Sequence, residues 1–304
     1  MNHESRRCGM DNDSTRSNPK RRLIFSIAVC FTMIPITGGC ESVNQGLNDI
    51  ATSLTPKTPR QAAEMALDQD DPEKRREGIL LIANSTIGGE DVYVTLYREY
   101  VRFEQDALTK AAALRALARH GLPDDAPLFQ PHLKHENVQV RWEAAKGLQR
   151  LHNPVVAQDL VEVLRDESER AEIRAAAATA LGQYPQDNVF QGLLTALTAR
   201  QLSINVAAER SLNTLTGKTF GYDDRAWLRW YNATVKTGDA FAGRKDYFYP
   251  TYSRAYTTLE KLTFWSKPSF EQPGQPIGLK PRGQRSTYQN EEEPTGNKQG
   301  GDGR

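Results

Sequence analysis

The chain has 304 residues, a formal net charge of +1, 38% hydrophobic residues and a mean hydropathy of −0.63. That length holds two average domains or one elongated repeat array, and the polar balance argues against a single large buried core. Residues 40–304 carry 33 basic and 35 acidic side chains, which excludes the basic footprint of a dedicated nucleic-acid binder.

The N-terminus reads as an address. Lys20, Arg21 and Arg22 close a polar segment, 1–22, and an uncharged apolar run, 23–39, follows. A positive region, a short apolar region and then small residues are the order of a secretory signal peptide. The run is about 17 residues long, at the low edge for a spanning helix, and Pro35 interrupts it. Cys8, Cys30 and Cys40 all lie at the N-terminus, so residues 41–304 offer no disulfide partner and no thiol cluster.

Thr37-Gly38-Gly39-Cys40 resembles the lipobox of bacterial lipoproteins, with Thr37 at the place where Leu is usual. The resemblance implies cleavage before Cys40 and lipid attachment to its thiol. The protein would then be anchored in a bacterial cell envelope with its body outside the cytoplasm. Thr37 and Gly39 also suit an ordinary signal peptidase, which would give a secreted protein, and an uncleaved segment would give an N-terminal anchor. Met10 is a second possible start. Residues 40–58 are polar and read as a tether, with a short helix over 43–53 as the alternative.

The body, 59–217, repeats. Five aligned segments begin at Arg75, Lys110, Arg141, Arg174 and Asn205, with spacings of 35, 31, 33 and 31 residues. Each has a small residue three positions on and an apolar one at seven, as on one helix face. Second helical stretches lie near 60–69, 91–104, 124–134, 155–165 and 188–200, with breaks at Gly121, Asn153-Pro154 and Tyr184-Pro185. A two-helix unit of this size cannot bury its apolar face alone, so the pattern predicts an all-α solenoid of about five helical pairs.

Val140-Arg-Trp-Glu-Ala-Ala-Lys-Gly-Leu148 and Ile173-Arg-Ala-Ala-Ala-Ala-Thr-Ala-Leu-Gly182 resemble the second helix of short bacterial HEAT repeats of the phycobilisome-lyase type. In that family a recurring Arg bonds an acidic or backbone group in the adjacent turn. The resemblance implies a structural ladder through Arg75, Lys110, Arg141 and Arg174, and Asn205 departs from it. Export signal, repeat array and missing catalytic motif together point to a scaffold that binds protein through its concave face or an aromatic C-terminal extension, and analogy with the lyase-type members implies a lyase-like, cofactor-handling protein instead. A passive structural envelope component is a third reading.

After the repeats, residues 218–236 hold Trp227 and Trp230 on a helix that Asp223 or Asp224 can cap. It is expected to close the array end. Residues 237–270 are aromatic-rich, with Tyr247, Tyr249, Tyr252, Tyr256 and Trp265 as candidate interaction residues. They either fold back along the array or dock a partner. Residues 271–304 are rich in Gly, Pro and polar residues and are expected to be disordered in isolation.

No catalytic constellation stands out. Gly217-Lys218-Thr219 is not a P-loop, because the upstream glycine falls at Leu212. His120, His132, His135 and His152 carry no metal-site motif and read as solvated loop residues. The expectation is therefore no enzyme, no metal, no cofactor, unidentified protein partners and a membrane contact through the N-terminal lipid.

Overall fold

The computed structural model describes residues 57–251 and 271–280. Cys40, the signal segment, Tyr252, Tyr256 and Trp265 lie outside the described residues.

Helix starts follow local chemistry. α1 (Pro59–Ala66) opens with a capping box in which Thr58 and Gln61 bond each other's backbone N–H. Pro59 and Pro72 occupy first-turn positions, where a missing N–H costs little. α2 (Pro72–Ala83), α4 (Ala107–His120) and α5 (Val138–Gly147) are capped by Asp71, Asp106 and Asn137. α3 (Asp91–Phe103), α6 (Ala157–Arg165), α7 (Ala171–Leu181) and α8 (Asp187–Ala196) complete the pairs with α9 (Leu202–Thr216).

The helices form two rows. α2, α4, α5, α7 and α9 pack in succession, each against the next. α1, α3, α6 and α8 pack outside them, and α6 also touches α8. The fold is an all-α solenoid. Its core is continuous from Ala62 to Ala240. Small residues on the second-helix row, such as Ala113, Ala144, Ala177 and Ala208, are buried and let the helix backbones approach. Gly78 is the extreme case: a Cβ there would lie 2.3 Å from the Ala66 amide nitrogen.

The third pair departs from the helix expected over 124–134. Two 3₁₀ helices, Pro123–Leu128 and Gln130–Lys134, stand there instead. Pro127 and Pro131 lack the N–H groups that a continuous α-helix would use. The segment still fills its layer, because Ala126, Phe129 and Leu133 are buried.

The array is closed beyond α9. Gly217 ends that helix in the left-handed region, φ 71°. α10 (Asp224–Val235) then packs on α8. Trp227 is fully buried against Phe190 and Phe220, and Tyr231 stacks on Phe190 at 4.0 Å.

The expectation of disorder from residue 271 needs correction for 271–280. These residues lie in extended form against the array. Ile277 N–H donates to the Arg150 carbonyl at 2.7 Å, and His152 N–H donates to the Ile277 carbonyl at 2.9 Å. Composition missed this because a Gly/Pro-rich strand needs only a partner's backbone and a few side-chain contacts to be held.

Gly78→Ala should lower stability by about 1–3 kcal/mol through overpacking. Gly238→Ala, with nothing within 4 Å of its added carbon, should change it by less than about 0.5 kcal/mol. Urea unfolding of both variants checks the contrast.

Candidate functional site

The side chains that tie the repeats together form a ladder along the second-helix row. Arg75 donates from Nε and Nη2 to the Glu104 carboxylate at 2.9 and 3.1 Å. Its Nη1 donates to the carbonyls of Asp68 and Gln69. Arg141 repeats the arrangement: Nε and Nη2 reach Glu169 at 2.6 and 3.0 Å, and Nη1 reaches the His135 and Glu136 carbonyls. Each guanidinium therefore binds the loop before its own helix to the loop before the next second-row helix. The fixed fork of Arg suits this, and the point charge of Lys does not.

The carboxylates also cap. Glu104 accepts from the Gln105 and Asp106 N–H groups, and Glu169 from Arg170 N–H. Burial pushes the Glu104 carboxyl up, but the bonds from Arg75 and Asp106 outweigh it and hold it below the ordinary value.

Other positions solve the same problem differently. Arg174 is buried and donates from Nε to the Leu164 carbonyl at 3.0 Å. Asn205 donates to the carbonyls of Ala196, Leu197 and Ala199, so it takes over the loop-binding part of the role. Lys110 is half-buried, and the residues 28 and 29 positions after it are Val138 and Gln139, with no carboxylate. The motif alignment missed three further rungs. Arg98 grips Asp125 with two bonds, Arg115 meets Glu143 at 2.7 Å, and Lys134 meets Glu162 at 3.0 Å. A carboxylate 27–29 residues after a basic residue is the signal that would have found them.

Lys134, Glu162, Arg141 and Glu169 also line an open groove of about 510 Å³, with Leu133 and His135 beside them.

Two of the four body histidines, His132 and His152, are buried, and a third, His120, is half-buried. His120 Nε2 lies 2.7 Å from the Ala83 carbonyl. His132 is buried, and burial depresses it to about 4, with Lys110 and His135 acting the same way. His152 is fully buried between a Gln183 hydrogen bond at 3.0 Å and the stacked Tyr184 ring, and burial depresses it also to about 4. His132 and His135 have ring centres 6.2 Å apart. Among the described residues, no group of three or more His, Cys, Asp or Glu could hold a metal ion.

The aromatic candidates separate by burial. Trp227 donates from Nε1 to the Gly221 carbonyl and is enclosed, so it presents no surface to a partner. Tyr247 is also buried, and its hydroxyl donates to the Thr179 carbonyl at 2.6 Å. Trp230 is half-buried against the core. Tyr249 lies over the buried Arg150 guanidinium, 4.6 Å from its carbon to the ring centre.

The segment carrying these tyrosines crosses the ends of the second-row helices in reverse order. Lys245 N–H bonds the Thr214 carbonyl at the end of α9. Tyr247 then covers the end of α7, and Tyr249 N–H bonds the Gly274 carbonyl at 2.8 Å beside Arg150. A Cβ on Gly217 would lie 2.0 Å from the Gly243 carbonyl oxygen, so the crossing depends on that glycine.

Residues 128–213 match the family model described as HEAT repeats. That part of the array, from the second 3₁₀ segment to α9, is similar to HEAT repeats. Among solved structures, human deoxyhypusine hydroxylase in complex with glycerol is 16% identical, with a TM-score of 0.35 over 51% of this chain and 72% of that chain. The complex of CpcE and CpcF of phycocyanin lyase from Nostoc sp. PCC7120 is 18% identical, with a TM-score of 0.37 over 53% and 78%. Escherichia coli YibA is 18% identical, with a TM-score of 0.32 over 58% and 81%. No curated protein matches this chain.

Arg141→Ala should cost about 2–3 kcal/mol, because it leaves the nearly buried Glu169 and two carbonyls without their donor. Lys134→Ala breaks an exposed pair and should cost less than about 0.5 kcal/mol. Chemical denaturation distinguishes them.

His132 and His152 are neutral when folded and regain an ordinary pKa near 6.5 when unfolded, so the unfolded chain binds more protons. Their contribution is complete above about pH 6.5 and is lost as pH falls toward 4, by up to roughly 3 kcal/mol each. Melting temperature measured across that window should fall with acid, and His152→Gln should flatten part of the slope.

Proposed function

We propose that the chain is an envelope-anchored scaffold that binds protein partners through its repeat array, without catalysis of its own. HEAT repeats are in general protein-interaction scaffolds, and residues 128–213 match that family. The observation that carries the reading is the ladder. Forked Arg–carboxylate bonds at Arg75 and Arg141 hold successive repeats in fixed register, which keeps a long surface rigid before any partner arrives. A preorganised surface loses less entropy on binding than a flexible one.

Anchoring rests on the N-terminal sequence. Lys20-Arg21-Arg22, the apolar run and Gly38-Gly39-Cys40 support export followed by lipid attachment at Cys40. On this reading residues 41–58 are the tether between membrane and array.

Mass analysis of the mature protein should find an N-terminal Cys40 carrying lipid, and Cys40→Ala should release the body from membranes. An intact Met1 or Met10 end would overturn the anchoring. Crosslinking in envelope preparations should capture specific partners, and a folded array that captures none would count against the scaffold.

A further inference from the structure

His152, in the loop after α5, has a buried ring whose tautomer is set by its neighbour. Gln183 donates from Nε2 to the Leu148 carbonyl at 2.9 Å, so its Oε1 faces His152 and accepts the Nδ1 proton at 3.0 Å. Nε2 is left as a bare acceptor, buried and with no hydrogen-bond partner. A neutral ring tolerates this. A second proton would place a charged N–H there with nothing to accept it.

The backbone of the same residue holds the C-terminal segment. His152 N–H donates to the Ile277 carbonyl, and Ile277 N–H to the Arg150 carbonyl. Gly278, at φ 87°, lies against the His152 carbonyl, and a Cβ on it would stand 2.6 Å from Pro123. Gln183 faces the segment too: with Gln275, Leu279, Lys280 and residues 244–247 it lines a cavity of about 10 Å³. The His152–Gln183 pair therefore lies under residues 271–280.

The charged groups on the surrounding elements give the ring no acceptor. The crossing residues bring Arg244, whose charge opposes a proton on His152, with Lys245 and Asp246 after it. The segment carries Lys280 and Glu271, the latter paired with Arg150. The end of α4 carries His120, which feels the charge of Arg150. The first 3₁₀ helix carries Asp124 and Asp125, and Arg98 grips Asp125. None of them bonds Nε2. Burial foremost, and Arg244 after it, hold the ring at about 4 against the Gln183 bond.

We propose that His152 is an acid-sensitive latch: a proton taken up at Nε2 releases residues 271–280 from the loop at 150–152, and loss of that proton lets them dock again. Release gives the charged N–H water as its partner. The segment is held by backbone bonds at Gly274 and Ile277 and by the Glu271–Arg150 pair, so it can lift while the helices of the array stay folded. The docked form binds the proton poorly, and the released form takes it near the ordinary value of about 6.5. Docking is therefore complete above about pH 6.5 and is lost as pH falls toward 4. The latch acts whatever partner the array binds.

The test uses the full chain. Hydrogen exchange at the Ile277 and His152 amides, corrected for the intrinsic effect of pH, reads the latch, and amides inside α7 read the array. Between pH 7 and pH 5 the two latch amides should lose protection by at least about tenfold, while those of α7 keep theirs. His152→Gln should remove that acid step. Glu271→Gln should weaken docking at every pH and leave the step in place. Reciprocity supplies a second measurement that does not require a variant at His152 to fold. The imidazole proton signal of His152 should titrate well below 6.5 in the parent chain and near 6.5 in Gly278→Val, where a β-branched residue fits neither the backbone angle nor the space beside Pro123. An acid step that survives His152→Gln, or one lost with Glu271→Gln, overturns the proposal. So does equal loss of protection in α7, or a His152 titration that is the same in the parent and in Gly278→Val.

Discussion

Each helical pair in this chain has an apolar face that it cannot bury by itself, and the structure depends on that deficit. Stacking the pairs removes Ile79, Leu114, Leu148, Leu181 and Leu212 from water along one continuous core. Close stacking in turn requires small residues. Gly78 against α1 and the buried alanines of α4, α5 and α7 set how near the backbones come. A solenoid built this way has no central core to fall back on, so every interface matters to the stability of its neighbours.

Apolar packing does not by itself fix register between repeats, because alanine-rich faces can slide. The forked bonds of Arg75 and Arg141 supply direction. Each one demands a carboxylate and two carbonyls at set positions, and the carboxylate is itself occupied by backbone N–H groups. Where the chain lacks the carboxylate, Arg174 and Asn205 bind carbonyls alone. The common element is a donor that satisfies carbonyls at the end of the preceding helix or in the loop entering its own helix. The ion pair is an addition at some rungs.

The C-terminal part of the chain belongs to the same economy of surface. α10 covers α8 with Trp227 and Tyr231, and the following residues return across the ends of α9, α7 and α5. Aromatic side chains suit both tasks because they bury much area with few rotors to freeze. The same property makes them attractive for partner binding, which is why sequence composition could not divide Trp227 and Tyr247, enclosed in the structure, from Tyr249, which faces a buried charge.

Sequence by itself determined the class of fold, because a period of 31–35 residues with small and apolar positions at fixed offsets has one stable solution in water, a stack of helical pairs. It also placed Arg75, Arg141 and Arg174 at matching points, since a repeat shows its own recurring residues. It did not locate the partners Glu104 and Glu169, nor Arg98–Asp125, because those contacts join residues of different elements nearly a repeat apart. It misjudged 124–134, where interior prolines outweigh helical periodicity, and His132 and His152, whose burial depends on what packs over them. It also gave no sign that residues 271–280 would be held. Backbone pairing at Arg150–His152 and a carboxylate on a buried guanidinium exist only once the repeats have brought those groups to one place.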